Sequence, residues 1–210
     1  MRVLFNLLYL LPAAFLVPII HEWVRAMTSH TLGDTLPSQR GFVTANPLKF
    51  FEPIGFIFML VFQMGWGQPV PTSALRYKNR QLGSVLVGLV PILVSLAIGI
   101  IVFNLLLVFD LIQIRIIHSP VSPYRVYGSH IGQMLYMFAR LSISFSIFNL
   151  IPIYPLSGQR ILTALASPNA VASMTYYEKS LQFILVILMA IGLIPAFIGN
   201  ITNSILMFVS

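Results

Sequence analysis

Long apolar runs leave this chain few ways to fold in water. Runs at residues 82–109, 131–153 and 181–209 are each long enough for a membrane-spanning helix, which needs about 20 predominantly apolar residues. A further run at 3–20 continues into polar residues and predicts a first span at 3–28. Apolar residues make up 58% of the 210-residue chain and charged residues only 8%, against about 25% in soluble proteins. The sequence therefore predicts an integral, polytopic membrane protein in contact with the lipid bilayer.

Charge and cysteine content narrow the range of functions. The chain has no cysteine, which excludes disulfides and thiolate metal sites. A net charge of +7 raises the question of nucleic-acid binding, but the basic residues are scattered around the apolar runs and form no basic tract. Membrane orientation accounts for charges placed in this way, so no nucleic-acid partner is expected.

One apolar run is too short to cross a bilayer as a helix. It covers only residues 53–66, and glycine or proline follows at alternate positions up to Pro71. Irregular backbone at membrane depth must be shielded by protein. We therefore interpret residues 53–66 as a re-entrant element that enters and leaves the membrane on one side.

The segments between the apolar runs are expected to be loops. Residues 30–52 are interpreted as loop with a short extended piece at 41–45, and 110–130 and 157–177 as further loops. The last run, 181–209, is either one broken helix or a span followed by a short return. The predicted fold class is all-α, with about 4–5 transmembrane helices plus the re-entrant element, in one domain over residues 1–210.

The distribution of basic residues predicts the orientation. If 53–66 does not cross, residues 25–80 and 157–179 share one side, and only Arg2, Arg115 and Arg125 lie on the other. The shared side then holds Arg25, Arg40, Lys49, Arg76, Lys78, Arg80, Arg160 and Lys179. The positive-inside rule favours this arrangement, with the amino terminus outside and residues 25–80 in the cytoplasm of a prokaryote.

A metal-binding pattern is half present at the inner end of the first span. Positions 21–25 read His-Glu-Trp-Val-Arg. Histidines at i and i+4 share one helical face and can hold zinc, and a Glu between them can act as general base on a zinc-bound water. His21 and Glu22 fit this pattern, but Arg25 stands where the second histidine belongs, and a guanidinium has no lone pair for a metal.

A second stretch gives these residues a context. Residues 149–160 read Asn-Leu-Ile-Pro-Ile-Tyr-Pro-Leu-Ser-Gly-Gln-Arg, which resembles the Asn-x-x-Pro and Pro-Leu-Asp-Gly signature of the site-2 protease family of intramembrane zinc proteases. The resemblance implies that the Asp of this signature is the third zinc ligand in active members, and here that position is Ser157.

The resemblance covers nearly the whole chain. Further short motifs follow the order and approximate spacing of the compact bacterial and archaeal branch of the family. They are Ala26, Gly33-Asp34, Asn46-Pro47-Leu48-Lys49, Pro53-Ile54-Gly55 and Gly67-Gln68-Pro69-Val70-Pro71. The resemblance thus implies the family's transmembrane core, while the departures fall on two of its three metal ligands.

The two replaced ligands compensate each other in charge. The resemblance implies Zn²⁺ against two carboxylates in active members, whereas here Arg25 faces Glu22 alone and Ser157 is neutral, so the formal charge is zero in both cases. Glu22 and Arg25 are also i,i+3 neighbours on a helix and can pair. We therefore expect His21, Glu22, Arg25 and Ser157 to form a vestigial site with no catalytic residues, no metal and no cofactor.

Other ligands and other chemistries have less support. His30 lies on the opposite helical face from His21, and His118 and His130 lie on the predicted outer side. Ser157 beside Arg25 is not an activated nucleophile, because arginine does not deprotonate and cannot act as a base. A transporter is disfavoured because few charged residues occur in the spans and no inverted repeat is visible.

Residues of the second stretch are candidates for binding. The resemblance implies that this broken segment positions substrate in active members, which makes Asn149, Pro152, Pro155 and Gly158 the candidate binding residues. A purely structural interpretation is that the prolines break the helix and that Asn149 or Arg160 donates to the freed carbonyls.

These observations lead to two hypotheses of function. The first is a pseudoprotease, which has lost hydrolysis and serves as a binding, scaffold or assembly subunit beside another membrane protein or transmembrane helix. The alternative is an active intramembrane metalloprotease with an atypical set of zinc ligands, and zinc is expected only in that case.

Overall fold

The architecture is helical almost throughout, as predicted. The computed structural model describes residues 2–116 and 124–209. Its helices are α1 (Arg2–Thr31), α2 (Leu36–Gln39), α3 (Pro53–Phe62), α4 (Arg80–Val108), α5 (His130–Phe148), α6 (Ser157–Leu165), α7 (Pro168–Tyr176), α8 (Glu178–Ala190) and α9 (Leu193–Val209). Short 3₁₀ turns cover Pro47–Phe50 and Ala74–Arg76, and strands β1 (Ile112–Ile116) and β2 (Tyr124–Gly128) form an antiparallel hairpin.

Three of the described helices, α1, α4 and α5, are long and apolar enough to cross a membrane. The pair α8 and α9 meets the same criterion jointly, although the two helices are bent by 69° at their junction. The last apolar run is therefore two helices, and their bend is compatible with both a broken span and a span followed by a return. With this pair taken as one span, the count within the described residues reaches four, the lower end of the expected range.

The core forms where α4 packs against α1, α5 and α6. α1 continues without interruption through Pro12 and Pro18. α4 begins at the side-chain cap of Asn79, which accepts a hydrogen bond from the Leu82 N–H group. Gly99 allows close contact with α5, because a Cβ atom there would lie 2.8 Å from the carbonyl oxygen of Ala139. This arrangement brings the inner ends of α1, α4 and α5 together.

The segment that begins with α3 folds back on itself. Glu52 caps the helix by accepting from the Gly55 N–H group, and Gln63 ends it in the left-handed conformation, with φ of 56°. Residues 64–73 then return as irregular backbone, and the Gln68 N–H group donates to the carbonyl oxygen of Phe50 at 2.9 Å. Because the two ends meet, the segment has the geometry that a re-entrant element requires.

Three predictions about the loops need correction. The extended piece predicted at 41–45 is instead a turn at Gly41 followed by bends at 43–45, because Gly41 turns the chain with φ of 71° and Asn46 starts a 3₁₀ turn. Residues 157–177 contain α6 and α7 instead of a loop, and α7 starts with a Ser-Pro cap in which the hydroxyl of Ser167 accepts from the Ala170 N–H group.

The prediction of a loop between α4 and α5 was wrong for the described residues of that segment. These residues form the β1–β2 hairpin. Ile112 pairs with Gly128 in its register, and isoleucines alternate along β1 in the way that favours a strand. His118, considered above as a metal ligand, lies outside the described residues.

Candidate functional site

His21 occupies the centre of the candidate site, fully buried near the inner end of α1. Its Nδ1 atom lies 3.1 Å from Ser95 Oγ on α4, and its Nε2 atom lies 2.9 Å from Ser157 Oγ on α6. The Nη2 atom of Arg25 is 3.2 Å from His21 Nε2. Since a guanidinium only donates, Nε2 carries the lone pair, and we assign the proton to Nδ1, which donates to Ser95.

Arg25 joins the two sequence stretches. Its Nη1 atom donates to both carboxylate oxygens of Glu22, at 2.5 Å and 2.7 Å. Its Nη2 atom donates to Ser157 Oγ at 2.5 Å, while its Nε atom is buried without a hydrogen-bond partner among the described residues. The structure thus brings all four residues of the expected vestigial site into one cluster and shows the pairing that the i,i+3 spacing of Glu22 and Arg25 predicts.

The returning segment after α3 closes this cluster from another side. The Val70 N–H group donates to Glu22 Oε2 at 3.2 Å, and a Cβ atom on Gly67 would lie 2.9 Å from Glu22 Cγ. Arg160 of α6 holds the segment by donating to the Val70 carbonyl oxygen and to the Thr72 hydroxyl. Burial and the nearby Arg25 lower the pKa of Arg160 to about 10, so it stays charged at neutral pH.

Two of the four candidate binding residues use their polar groups inside the turn between α5 and α6. The side chain of Asn149 donates to the Phe145 carbonyl oxygen and accepts from the Ser157 N–H group, and the Gly158 N–H group donates to the Asn149 carbonyl oxygen at 2.7 Å. Both residues are buried, whereas Pro152 is exposed and Pro155 is half-buried. Asn149 therefore donates to a carbonyl that already accepts its own backbone N–H group, and Arg160 acts on the segment after α3, so neither residue is seen to donate to a carbonyl freed by the prolines.

The donor set at this site does not fit a zinc ion. The lone pair of His21 Nε2 faces Ser157 Oγ and the cationic Nη2 of Arg25, where a metal would need to approach. Both oxygens of Glu22 accept from the same guanidinium. Among residues 2–116 and 124–209, no group of three His, Cys, Asp or Glu side chains is placed to hold a metal ion.

A second buried polar cluster was not recognised in the sequence. Asp34, fully buried after α1, accepts from the Ser29 hydroxyl at 3.0 Å, from the Leu36 N–H group at 2.9 Å and from the Ser73 N–H group at 2.7 Å. Ser29 also contacts the hydroxyl of Tyr77 at 2.8 Å. Asp34 therefore fixes the end of α1 to the segment before α4. The Gly33-Asp34 motif was the available signal, since a lone acidic residue next to an apolar span needs partners.

An apolar cavity of about 480 Å³ lies beside α1, and no residue of α4 or α5 lines it. Ile20, Trp23 and Met27 of α1 line it together with residues 43–45 and Phe50. Within the described chain, residues 43–45 make no backbone-to-backbone hydrogen bond. The surface next to the candidate site is thus concave and apolar, and the backbone along one side of it has unused hydrogen-bonding groups.

The helical core brings together the two sequence stretches that resemble the site-2 protease family. The model of Peptidase family M50 matches residues 12–194, and the chain belongs to this family. This result confirms the resemblance to site-2 proteases at the level of the family.

A named relative comes from Bacillus subtilis (strain 168). The protein called "Putative zinc metalloprotease YwhC" is 32% identical over 109 residues, which cover 50% of this chain and 50% of the relative. The chain thus matches about half the length of that curated relative. No solved structure is significantly similar to the chain.

Proposed function

We propose that this chain is a catalytically inactive member of its family that acts as a binding or scaffold subunit in the membrane. The observation that carries the proposal is the position of Arg25. Its guanidinium pairs with Glu22, contacts His21 and donates to Ser157, so one cation connects the residues at which the family resemblance implies a metal.

The state of Glu22 supports the loss of hydrolysis. A general base needs a free lone pair that can reach the water it activates. Both carboxylate oxygens of Glu22 accept from Arg25, and Oε2 also accepts from the Val70 N–H group. A carboxylate held by a buried guanidinium in this way is oriented toward that cation instead of toward a water molecule.

The surface beside the site supports a binding role. The apolar cavity at Trp23 and Phe50 is suited to side chains of a transmembrane segment, and the unpaired backbone at 43–45 offers hydrogen bonds to an extended part of it. In this proposal, the partner contacts residues 40–72 and 149–160, where Pro152 and Pro155 contribute exposed or half-buried surface. The partner is another membrane protein of the same bilayer.

The alternative, an active metalloprotease with an atypical ligand set, draws its support from the family description and from the name of the Bacillus subtilis relative. Elemental analysis of the purified full-length protein distinguishes the two. We expect far less than one zinc per chain after purification without chelator. Stoichiometric zinc, or a chelator-sensitive cleavage of a membrane substrate, contradicts the proposal.

A reconstructed metal site provides a positive control. The double variant Arg25→His with Ser157→Asp restores both missing ligands next to His21, and the contact between Arg25 and Ser157 shows that the two positions are within reach of each other. We expect this variant to bind zinc and to unfold at a higher temperature when zinc is added. If the folded double variant binds no zinc, the inference that the two stretches face each other in the geometry of a metal site is wrong.

A further inference from the structure

A second cavity lies at the opposite end of α3 from the candidate site. It has a volume of about 320 Å³. Its lining comes from the end of α3 with Gln63 and Met64, from Arg140 and Ser144 of α5, and from the junction of α8 and α9 around Gly192. Nothing in the proposed function uses this cavity.

The helix lengths place this cavity near the middle of the bilayer. Arg140 is ten residues after His130 and eight before Phe148, or about 15 Å and 12 Å along α5. The 10 residues of α3 and the 13 residues of α8 reach about 15 Å and 20 Å from their own starting points, and both helices end at the cavity. Two helices, α3 and α8, therefore end at the same depth as a charged side chain.

Arg140 has no acidic partner there. Its Nε atom is buried without a hydrogen bond among the described residues, and no ion pair involves it there. All five acidic side chains of the chain lie in its described part, and none is at the cavity. Glu22 pairs with Arg25, Asp34 fixes the end of α1, and Glu52 caps the start of α3. Asp110 and Glu178 lie at the ends of α4 and α8 that are remote from the cavity.

The negative ends of two helices compensate Arg140 only in part. α3 and α8 each direct their carboxyl-terminal end to the cavity, and such an end carries about half an elementary charge that is effective only over the last turn. An ionisable side chain at mid-membrane depth is costly, and in membrane proteins such side chains almost always have a partner or face a water-filled cavity.

The wall formed by α9 is open to a neighbouring helix. A Cβ atom built on Gly199 of the cavity wall meets no atom within 4 Å, so no packing inside the described chain requires glycine there. Gly192 is accounted for by its own backbone, which has φ of 81°. Gly199 lies inside α9, where glycine weakens a helix relative to alanine. Val61 and Leu193 beside the cavity expose 64% and 59% of their surface. Small residues on an exposed helix face allow close approach of a second transmembrane helix.

We propose that this cavity receives the carboxylate of an Asp or Glu side chain from a transmembrane helix of a different protein. The carboxylate pairs with Arg140, and Gly199 on the open face of α9 lets the partner helix approach closely. A second copy of this chain does not provide the group, because its acidic side chains are engaged elsewhere or lie at helix ends. A lipid phosphate lies at the bilayer surface, about 15 Å from the midplane.

This inference rests on the proposed role as a membrane subunit, but it uses a different surface from the vestigial site. It is tested with the purified full-length chain in nanodiscs of zwitterionic lipid. The probe is a synthetic Leu/Ala transmembrane peptide with one central Glu, compared with otherwise identical peptides carrying Gln or Leu. Binding is measured by energy transfer between a labelled peptide and a labelled chain.

We expect the Glu peptide to bind about tenfold or more tightly than the Leu peptide. This preference should disappear in Arg140→Leu and persist in Arg140→Lys. In the charge-reversed variant Arg140→Glu, a peptide with a central Lys should become the preferred one. Gly199→Ile should weaken binding of all three peptides while leaving the chain folded, because the position is open.

Several results overturn the inference. Equal binding of the Glu and Leu peptides removes the evidence for a carboxylate partner. Retention of an anionic lipid that Arg140→Leu abolishes, detected by mass spectrometry of the intact complex, assigns the cavity to a headgroup instead. A lower unfolding temperature of isolated Arg140→Leu shows that Arg140 already has an internal partner, whereas an equal or higher one supports the inference. None of these results bears on zinc content, which tests the proposed function separately.

Discussion

At the scale of single residues, Arg25 decides what the candidate site can do. A buried ion pair is weak evidence for stability, but removing one partner leaves an uncompensated charge. Both side chains of the Arg25–Glu22 pair are almost fully buried, and Arg25 makes further contacts to His21 and Ser157. Arg25 is therefore required to compensate the charge of the buried Glu22 carboxylate.

The single substitution Arg25→His should lower the free energy of unfolding by about 3–5 kcal/mol, because Glu22 loses its cation. Thermal unfolding in detergent measures the change. The matched control is Arg25→Met combined with Glu22→Gln, which removes both charges and should recover most of the loss. If Arg25→His is as stable as the unmodified chain, the pair does not have the role assigned to it.

Asp34 offers a second test at this scale. Asp34→Ala leaves the hydroxyl of Ser29 and the N–H groups of Leu36 and Ser73 without their acceptor, and should cost about 2–4 kcal/mol. Arg76→Ala serves as control, because Arg76 Nη1 lies 3.8 Å from Asp34 Oδ1 and its side chain is 39% exposed. This control should change stability by less than about 1 kcal/mol. If both variants lose the same amount of stability, the effect comes from the ion pair between Arg76 and Asp34 instead.

The sequence predicts the members of the candidate site better than their partners. The spacing of Glu22 and Arg25 on one helix predicts their contact, and the resemblance brings Ser157 to the same place. Ser95 could be recognised only as a small residue of an apolar helix, because no local pattern indicates that it faces a histidine 74 positions earlier. The support from Val70 is a backbone contact, which side-chain patterns do not reveal.

At the scale of elements, the re-entrant segment depends on two glycines. A Cβ atom on Gly55 would lie 2.0 Å from the Trp66 carbonyl oxygen, and one on Gly65 would lie 2.2 Å from the Gly55 carbonyl oxygen. Gly55→Ala should therefore push the return away from α3 and cost about 1–3 kcal/mol. Gly199→Ala, where nothing lies within 4 Å, should be neutral or slightly stabilising. Equal unfolding temperatures for the two alanine variants would contradict this packing.

Labelling tests the topology of the same segment. The chain has no native cysteine, so a single introduced cysteine is specific. Ser38 and Lys78 flank the segment and are exposed, whereas Tyr77 is buried against Ser29 and is less suitable. We expect Ser38→Cys and Lys78→Cys to react from the same face of the membrane and Gln113→Cys in β1 from the opposite face. Reaction of the first two from opposite faces contradicts the re-entrant interpretation.

Apolar length predicts the spans well because it reflects the bilayer, which every span must match. It gives less information where the chain leaves the bilayer. The only sequence signal for α7 is its cap, Ser167 followed by Pro168. β1 and β2 are stabilised by pairing with each other, and the sequence of one strand does not reveal this pairing. The 69° bend between α8 and α9 falls at Gly192, with φ of 81°, a position that the prolines and polar residues of the last run did not indicate.

At the scale of the whole molecule, the proposal predicts where a partner is found in native membranes. A photoreactive amino acid at Trp23, which lines the apolar cavity and is 42% exposed, should form a cross-link to another protein. The same group at Leu93 of α4, which is 51% exposed and does not line the cavity, should react mainly with lipid. A solitary monomer with lipid adducts at both positions would argue strongly against a subunit role.

The closed loop from Phe50 to Gln68 also restricts how the growing chain is inserted during translation. A translocon releases crossing helices sideways into lipid, but a segment whose two ends are bonded together on one side cannot be released in that way. Met59 of α3 is buried against Leu10 and Ala13 of α1 and against Leu141 and Phe145 of α5, and α5 is synthesised only after α4. The ribosome thus delivers α3 before the part of its packing surface that α5 supplies. We therefore expect α3 to complete its packing only after α5 has been inserted.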